Sequence, residues 1–207
     1  MYKSRFIDSK FFSFMDITYR LVRASLLFWL YAGKGFIIAG LISSTCTLAE
    51  TIDEIFKGNG TPVRKLFKEI SRKYANHKRL SAFMFFLFIY IGTFIILPFP
   101  KIIDSYAASV IKFVCIYAFL LAIIFFTYLA WNLVHLQLSI KKTLLVSLYL
   151  IAKKPFRSLI LVFAILLIGL LIYVNFIFFL FFAPAIYGTC TRYIFTFSWK
   201  KKAEAAV

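Results

Sequence analysis

Few side chains in this sequence have the types and spacing for chemistry, and most of those lie beside or inside apolar runs. Arg192 interrupts a short apolar arm next to Tyr193, where a cation holds a phosphate or a backbone carbonyl near a membrane interface. Asn175 lies in a long aliphatic run, where an amide marks a polar site or bonds a neighbouring helix. Lys34 stands between two glycines and reads as a side chain that snorkels to the outer surface. Polar groups at membrane depth are costly, so each needs a partner or a use. His135, close to Trp131 and Asn132, is expected to anchor an interface rather than relay protons. His77, in Asn76-His77-Lys78-Arg79, is expected in a solvated loop.

The usual catalytic patterns are missing. No GxSxG, HExxH, GxxxxGK[ST] or paired-carboxylate spacing occurs. Cys46, Cys115 and Cys190 are odd in number, lie in apolar segments and have no His at ligand spacing, so they read as small buried hydrophobes. Only eight acids exist, and none falls inside a clear span. That argues against a carrier driven by an intramembrane carboxylate, and against a metal or cofactor site. The expectation is a protein that is not an enzyme.

Packing chemistry is more visible. Gly35, Ala39, Ser43 and Thr47 are spaced four apart, which places small side chains on one helix face. Such stripes let membrane helices approach closely, and hydroxyls add hydrogen bonds. Packing within the protein is the plainer role of this stripe. A face for a partner helix is the sharper one.

The elements that position these residues follow from charge and hydropathy. The chain is 62% hydrophobic with 27 Phe, a mean hydropathy of +0.87 and a net charge of +17. So much apolar surface cannot all be buried in 207 residues, so lipid must cover part of it. The charge does not indicate nucleic acid, because the cations flank apolar segments instead of lining one soluble face. Twenty-one of the 25 Lys and Arg fall in four blocks: Lys3–Arg23, Lys57–Arg79, Lys141–Arg157 and Lys200–Lys202. Basic residues near membrane segments stay on the cytoplasmic side, facing the anionic inner leaflet. Both termini, loop 57–80 and loop 134–157 are therefore expected there, with Lys34 and loop 98–109 opposite. Within the blocks Arg64, Lys68, Lys153, Lys154 and Arg157, together with Arg192, are the candidates for inner-surface contacts.

The expected fold is all-α: a single polytopic membrane domain over 1–207, with three clear spans and two short-armed hairpins, up to six crossings. Residues 1–23 read as an amphipathic interfacial segment without the compact apolar run of a cleavable signal. The arms Ala24–Ala32 and Phe36–Ala49 flank Gly33-Lys34-Gly35. They are short against the ~20 residues a span needs, so they either thin the bilayer or form a re-entrant hairpin. Thr61 as N-cap and Pro62 at the first helical position start a short basic helix over 62–75. Ser81–Leu97, Val110–Leu133 and Ser158–Phe182 are the clear spans, stopped by Pro98-Phe99-Pro100 after the first and by Ala183-Pro184-Ala185 after the last. Leu144–Ala152 is expected to lie on the membrane.

The run Leu150-Ile151-Ala152-Lys153-Lys154-Pro155-Phe156-Arg157-Ser158-Leu159 resembles the signature before the last long span of the YesL-like family. These are small integral membrane proteins of Gram-positive bacteria. The resemblance covers nearly the whole chain and includes Trp29, Gly40, Phe67, Asn76 with Lys78, and Pro184. Two features depart from the pattern: Gly33-Lys34-Gly35 replaces the proline at the first turn, and His77 replaces the aromatic after the Asn. The resemblance implies a context, since family members tend to be encoded beside carbohydrate importers of the ATP-binding-cassette class. The expectation is an auxiliary, non-catalytic subunit in the cytoplasmic membrane, packed against the transmembrane subunits of a sugar importer and against the bilayer. A small stand-alone transporter or exporter, or a membrane-bound regulator, is the alternative.

Overall fold

The computed structural model describes residues 2–35, 38–97, 105–136 and 138–204. Among these, all regular structure is helical: α1 (Tyr2–Lys34), α2 (Leu41–Phe56), α3 (Val63–Lys73), a 3-10 turn at Ala75–His77, α4 (Lys78–Ile96), α5 (Ser105–Leu136), α6 (Ile140–Lys153), α7 (Pro155–Val174) and α8 (Phe176–Glu204). Three helical segments are long and apolar enough to cross a membrane: Ala75–Ile96, Tyr106–Leu136 and Phe176–Thr196. A fourth crossing is available if α6 and α7, which meet at a 96° bend, count as one. The chain is a helical membrane protein. The stop at Pro98-Phe99-Pro100, with Lys101 and Asp104, lies outside the described residues.

The last hairpin breaks at a different place from the one expected. Helix α7 ends at Asn175, whose backbone is extended (φ −165°, ψ 117°), and α8 runs straight through Pro184. Asn175 is therefore a cap: its Oδ1 accepts the Ile177 and Phe178 amides at 2.8 and 3.3 Å, satisfying donors that a helix start leaves orphaned. Proline lacks an amide hydrogen and crowds the preceding turn, which releases backbone groups of α8. Helix α1 supplies their partners. Trp29 Nε1 donates to the Leu180 carbonyl at 2.9 Å, the group a residue-184 amide would otherwise have bonded. The Ala185 amide donates to Ser25 Oγ at 3.0 Å. With both groups satisfied, the helix has no reason to stop at Pro184.

Helices α1, α2 and α3 pack together as a base, with α1 and α2 lying along α8 and α2 beside α4 and α5. Gly40 lets the start of α2 approach α1: a Cβ there would lie 2.9 Å from the Ala32 carbonyl oxygen. The Ile42 amide donates to Ser81 Oγ in the first turn of α4. Thus α2 begins where α4 begins, and it runs beside the end of α5, with Cys46 at the Ala130 carbonyl. Gly188 of α8 admits Ile52 of α2, since an added Cβ would sit 2.3 Å from Ile52 Cδ1. Helix α3 folds back on both arms. Its apolar side, Val63, Leu66, Phe67 and Ile70, is buried, and its cations face out. Phe67 is fully buried against Tyr31 at a 5.1 Å ring separation, an exclusion worth about 1.5–3 kcal/mol.

Helix α3 starts at Val63, one residue later than expected. Pro62 occupies the cap position, and Thr61 turns its hydroxyl to Asn59 Oδ1 at 2.6 Å instead of capping. Arg20 holds this loop by donating to the carbonyls of Asn59 and Thr61. The far end of α3 is tied to α2 through Glu50, which accepts from Lys73 Nζ at 3.1 Å and from the Tyr74 hydroxyl. Burial and that bond to Glu50 both push the Tyr74 phenol above its ordinary range.

Candidate functional site

Two side-chain groupings stand out in the base. The first ties α2, α5 and α8. Asp53 of α2 accepts from Arg192 Nε at 2.7 Å and lies 3.1 Å from His135 Nε2. The other ring nitrogen of His135 is 3.1 Å from the Trp131 carbonyl. Aromatic faces bracket these charges: His135 stacks on Trp131 at 3.9 Å, Trp131 on Phe195 at 5.0 Å, and the Arg192 guanidinium lies 4.6 Å over Phe56. Partial burial pushes the Asp53 carboxyl up, but hydrogen bonds and charge from His135 and Arg192 outweigh it and hold the group below its ordinary value. Such a cluster clamps three helices.

This grouping bears on two expectations. Arg192, expected as an inner-surface contact, is paired with Asp53, and its side chain stays 30% exposed. His135 is no simple interfacial anchor, because it shares that carboxylate. The signal for Asp53 was weak: it sits at the charged end of a short arm, and nothing local links it to residues 82 and 139 positions away.

The second grouping is a cavity of about 640 Å³ between α1 and α3. Arg23, Lys34, Arg64, Lys65 and Lys68 surround it, over a floor of Leu27, Leu30 and Tyr31. No acid lines it. Lys34 Nζ sits 5.2 Å over the Tyr31 ring. Arg64, Lys65 and Lys68 are exposed, and none makes an ion pair among the described residues. Lys34 therefore shares one cavity with the basic helix. Gly33 and Lys34 do not break the chain as expected: α1 runs helical through both, and α3 packs along it as far as Tyr31.

The small-residue stripe is brought together, but not as one helix face. Gly35 belongs to the turn before α2, while Ala39, Ser43 and Thr47 continue from it. All four line a cavity of about 260 Å³, closed on the other side by Ser71, Arg72 and Lys78. The stripe thus faces the protein's own α3 and the start of α4. Lys153, Lys154 and Arg157 sit apart, at the α6–α7 elbow, where Lys153 Nζ donates to Tyr149 at 2.8 Å. Asn132 of α5 donates to Ser147 of α6 at 3.0 Å, holding α6 in place.

A further cavity of about 500 Å³ lies between the base and the α4–α5 and α7–α8 hairpins, walled by Phe28, Trp29, Phe88, Phe119, Phe179 and Pro184 among others. Its polar-tipped members are engaged elsewhere: Trp29 with Leu180, and Tyr187 with Thr127 at 2.9 Å. Among the described residues no group of three or more His, Cys, Asp or Glu is placed to hold a metal. No family model, curated protein or solved structure matches this chain.

Proposed function

We propose that the chain is an auxiliary, non-catalytic membrane subunit that packs beside the transmembrane subunits of a bacterial ATP-binding-cassette sugar importer. The importer enters through the resemblance to the YesL-like family. The observation that supports an accessory role is the engagement of five polar side chains at or between the helices in internal ties. Asp53, Arg192 and His135 join three helices, Asn132 holds α6, and Asn175 caps α8. What remains outward is apolar helix surface, such as Phe86, Phe113 and Phe163, and a basic base. Sugar recognition needs convergent hydrogen-bonding groups, and the apolar walls of the cavity between the base and the hairpins offer none. Transport of sugar by this chain alone is therefore the weaker reading. Lipid-facing surface of this kind joins helices by packing, which salt does not screen.

In this reading the bundle sits in the cytoplasmic membrane of a Gram-positive cell, with the base, both termini and the basic blocks inside. Affinity purification of the full chain in mild detergent tests it. Permease and ATPase subunits should co-purify at both low and high salt. A chain that purifies alone under every condition, with sugar uptake intact in a deletion strain, would overturn the proposal.

A further inference from the structure

We propose that the cavity between α1 and α3 is a binding site for an anionic phospholipid, with the headgroup phosphate held by the cations of α3 and an acyl chain laid on α1. Three observations converge on this ligand. The cavity is concave and large enough for a headgroup with the first part of a chain, at about 640 Å³. Its rim is of one sign: five cations and no carboxylate. Its floor is not polar, as a site for a free anion would be, but is made of Leu27, Leu30 and Tyr31, with Leu30 60% exposed.

The cations come from two separate elements, which matters for a site. Arg64 and Lys68 lie one turn apart on α3 with Lys65 beside Arg64, and Arg23 and Lys34 bracket the facing stretch of α1. Cations held this close repel one another and cost free energy unless an anion joins them. Glu69 of α3 does not line the cavity, and Glu50 is engaged by Lys73 and Tyr74 at the other end of α3. Asp53 is engaged by Arg192. Arg64 supplies a planar fork suited to a phosphate, and Lys68 a compact charge on the same helix. A phosphate headgroup joined to a hydrocarbon chain satisfies rim and floor together, whereas an inorganic anion satisfies only the rim.

The test uses the purified full chain reconstituted with phosphatidylglycerol or phosphatidylcholine, and reads retained lipid by native mass spectrometry. The wild type should retain phosphatidylglycerol selectively. Arg64→Gln with Lys68→Gln should lower that retention about thirtyfold, taking roughly fivefold for each basic group at an anionic lipid surface. Lys141→Gln with Lys142→Gln removes the same charge from α6 and should leave retention unchanged. Arg64 and Lys68 are solvent-facing, so the double variant is expected to fold. A second variant, Leu30→Ser, addresses the chain contact: it should weaken retention of long-chain phosphatidylglycerol and leave a dihexanoyl form unaffected. Equal losses in the α3 and α6 pairs, or equal retention of phosphatidylcholine, would overturn the site. Stabilisation by inorganic phosphate at matched ionic strength, equal to that by phosphatidylglycerol, would also overturn it as a lipid site.

Discussion

Replacing Asp53 by Ala tests whether the base is held together by charge. The substitution removes the acceptor of Arg192 Nε and of His135 Nε2 in one step. Hydrogen bonds to charged groups contribute about 1.5–3 kcal/mol each, so two amount to about 3–6 kcal/mol. The side chains left behind keep 30% and 31% of their exposure, so water recovers part of the loss. The expected cost is about 2–4 kcal/mol, or a fall in Tm of about 5–15 °C for a chain of this size. Scanning fluorimetry in mild detergent at one scan rate reads it, and Trp131, stacked on His135, is a built-in reporter. Asp53→Asn keeps the shape and one acceptor, so it should lose about half as much. The dependence on pH has a definite sign. Asp53 is held below its ordinary value, so its contribution is intact above about 3.9, the ordinary aspartate value, and is lost as pH falls through the lower folded value. The gap in Tm between wild type and Asp53→Ala should therefore close on acidification below about pH 4. A variant within 1 °C of wild type at neutral pH, where about 5 °C or more is expected, would refute the account of the clamp.

Other expectations follow from the same contacts. Trp29→Phe strands the Leu180 carbonyl and should cost about 1–3 kcal/mol, but distinctly less in a Pro184→Ala background, where the helix recovers its own amide; equal costs in both would break the link. Gly188→Val should cost about 1–3 kcal/mol by overpacking against Ile52, and Ile52→Ala in the same chain should recover part of that; Gly92→Val, which meets open space, should be mild. Single cysteines at Lys34 and Lys68, in a chain lacking Cys46, Cys115 and Cys190, should react with an impermeant reagent from the same side of the membrane. Labelling from opposite sides would reinstate a crossing by α1 and α2.

The helical class and the amphipathic α3 were legible because both depend on local periodicity. Val63, Leu66, Phe67 and Ile70 fall on one face whatever surrounds them. The end of α7 was not legible. Pro184 is a strong local stop, and it yields only because Ser25 and Trp29, far away in sequence, satisfy the groups it frees. Asn175 looks like an ordinary amide inside an aliphatic run until its neighbours' amides need a cap. The neighbours of Lys34 were not legible for a related reason. Short apolar arms suit a crossing and a fold-back equally, and only the packing of Phe67 on Tyr31 brings Lys34 beside α3. The stripe from Gly35 to Thr47 was legible as a small face, but its spacing could not reveal that α3 would cover it.

The bonds from Ser25 and Trp29 to α8 also set an order on assembly. Helix α1 leaves the ribosome before α8, so the partners of Leu180 and Ala185 exist before those groups enter the bilayer. A backbone carbonyl or amide exposed to hydrocarbon is expensive, so the late helix enters at a site that already answers its defect. The same bonds make the chain a closed loop: its first and last helices are neighbours, and neither can fray without unsatisfying the other. Removing the start of the chain would therefore damage its end, and the bundle is expected to be inserted, retained or degraded as one unit.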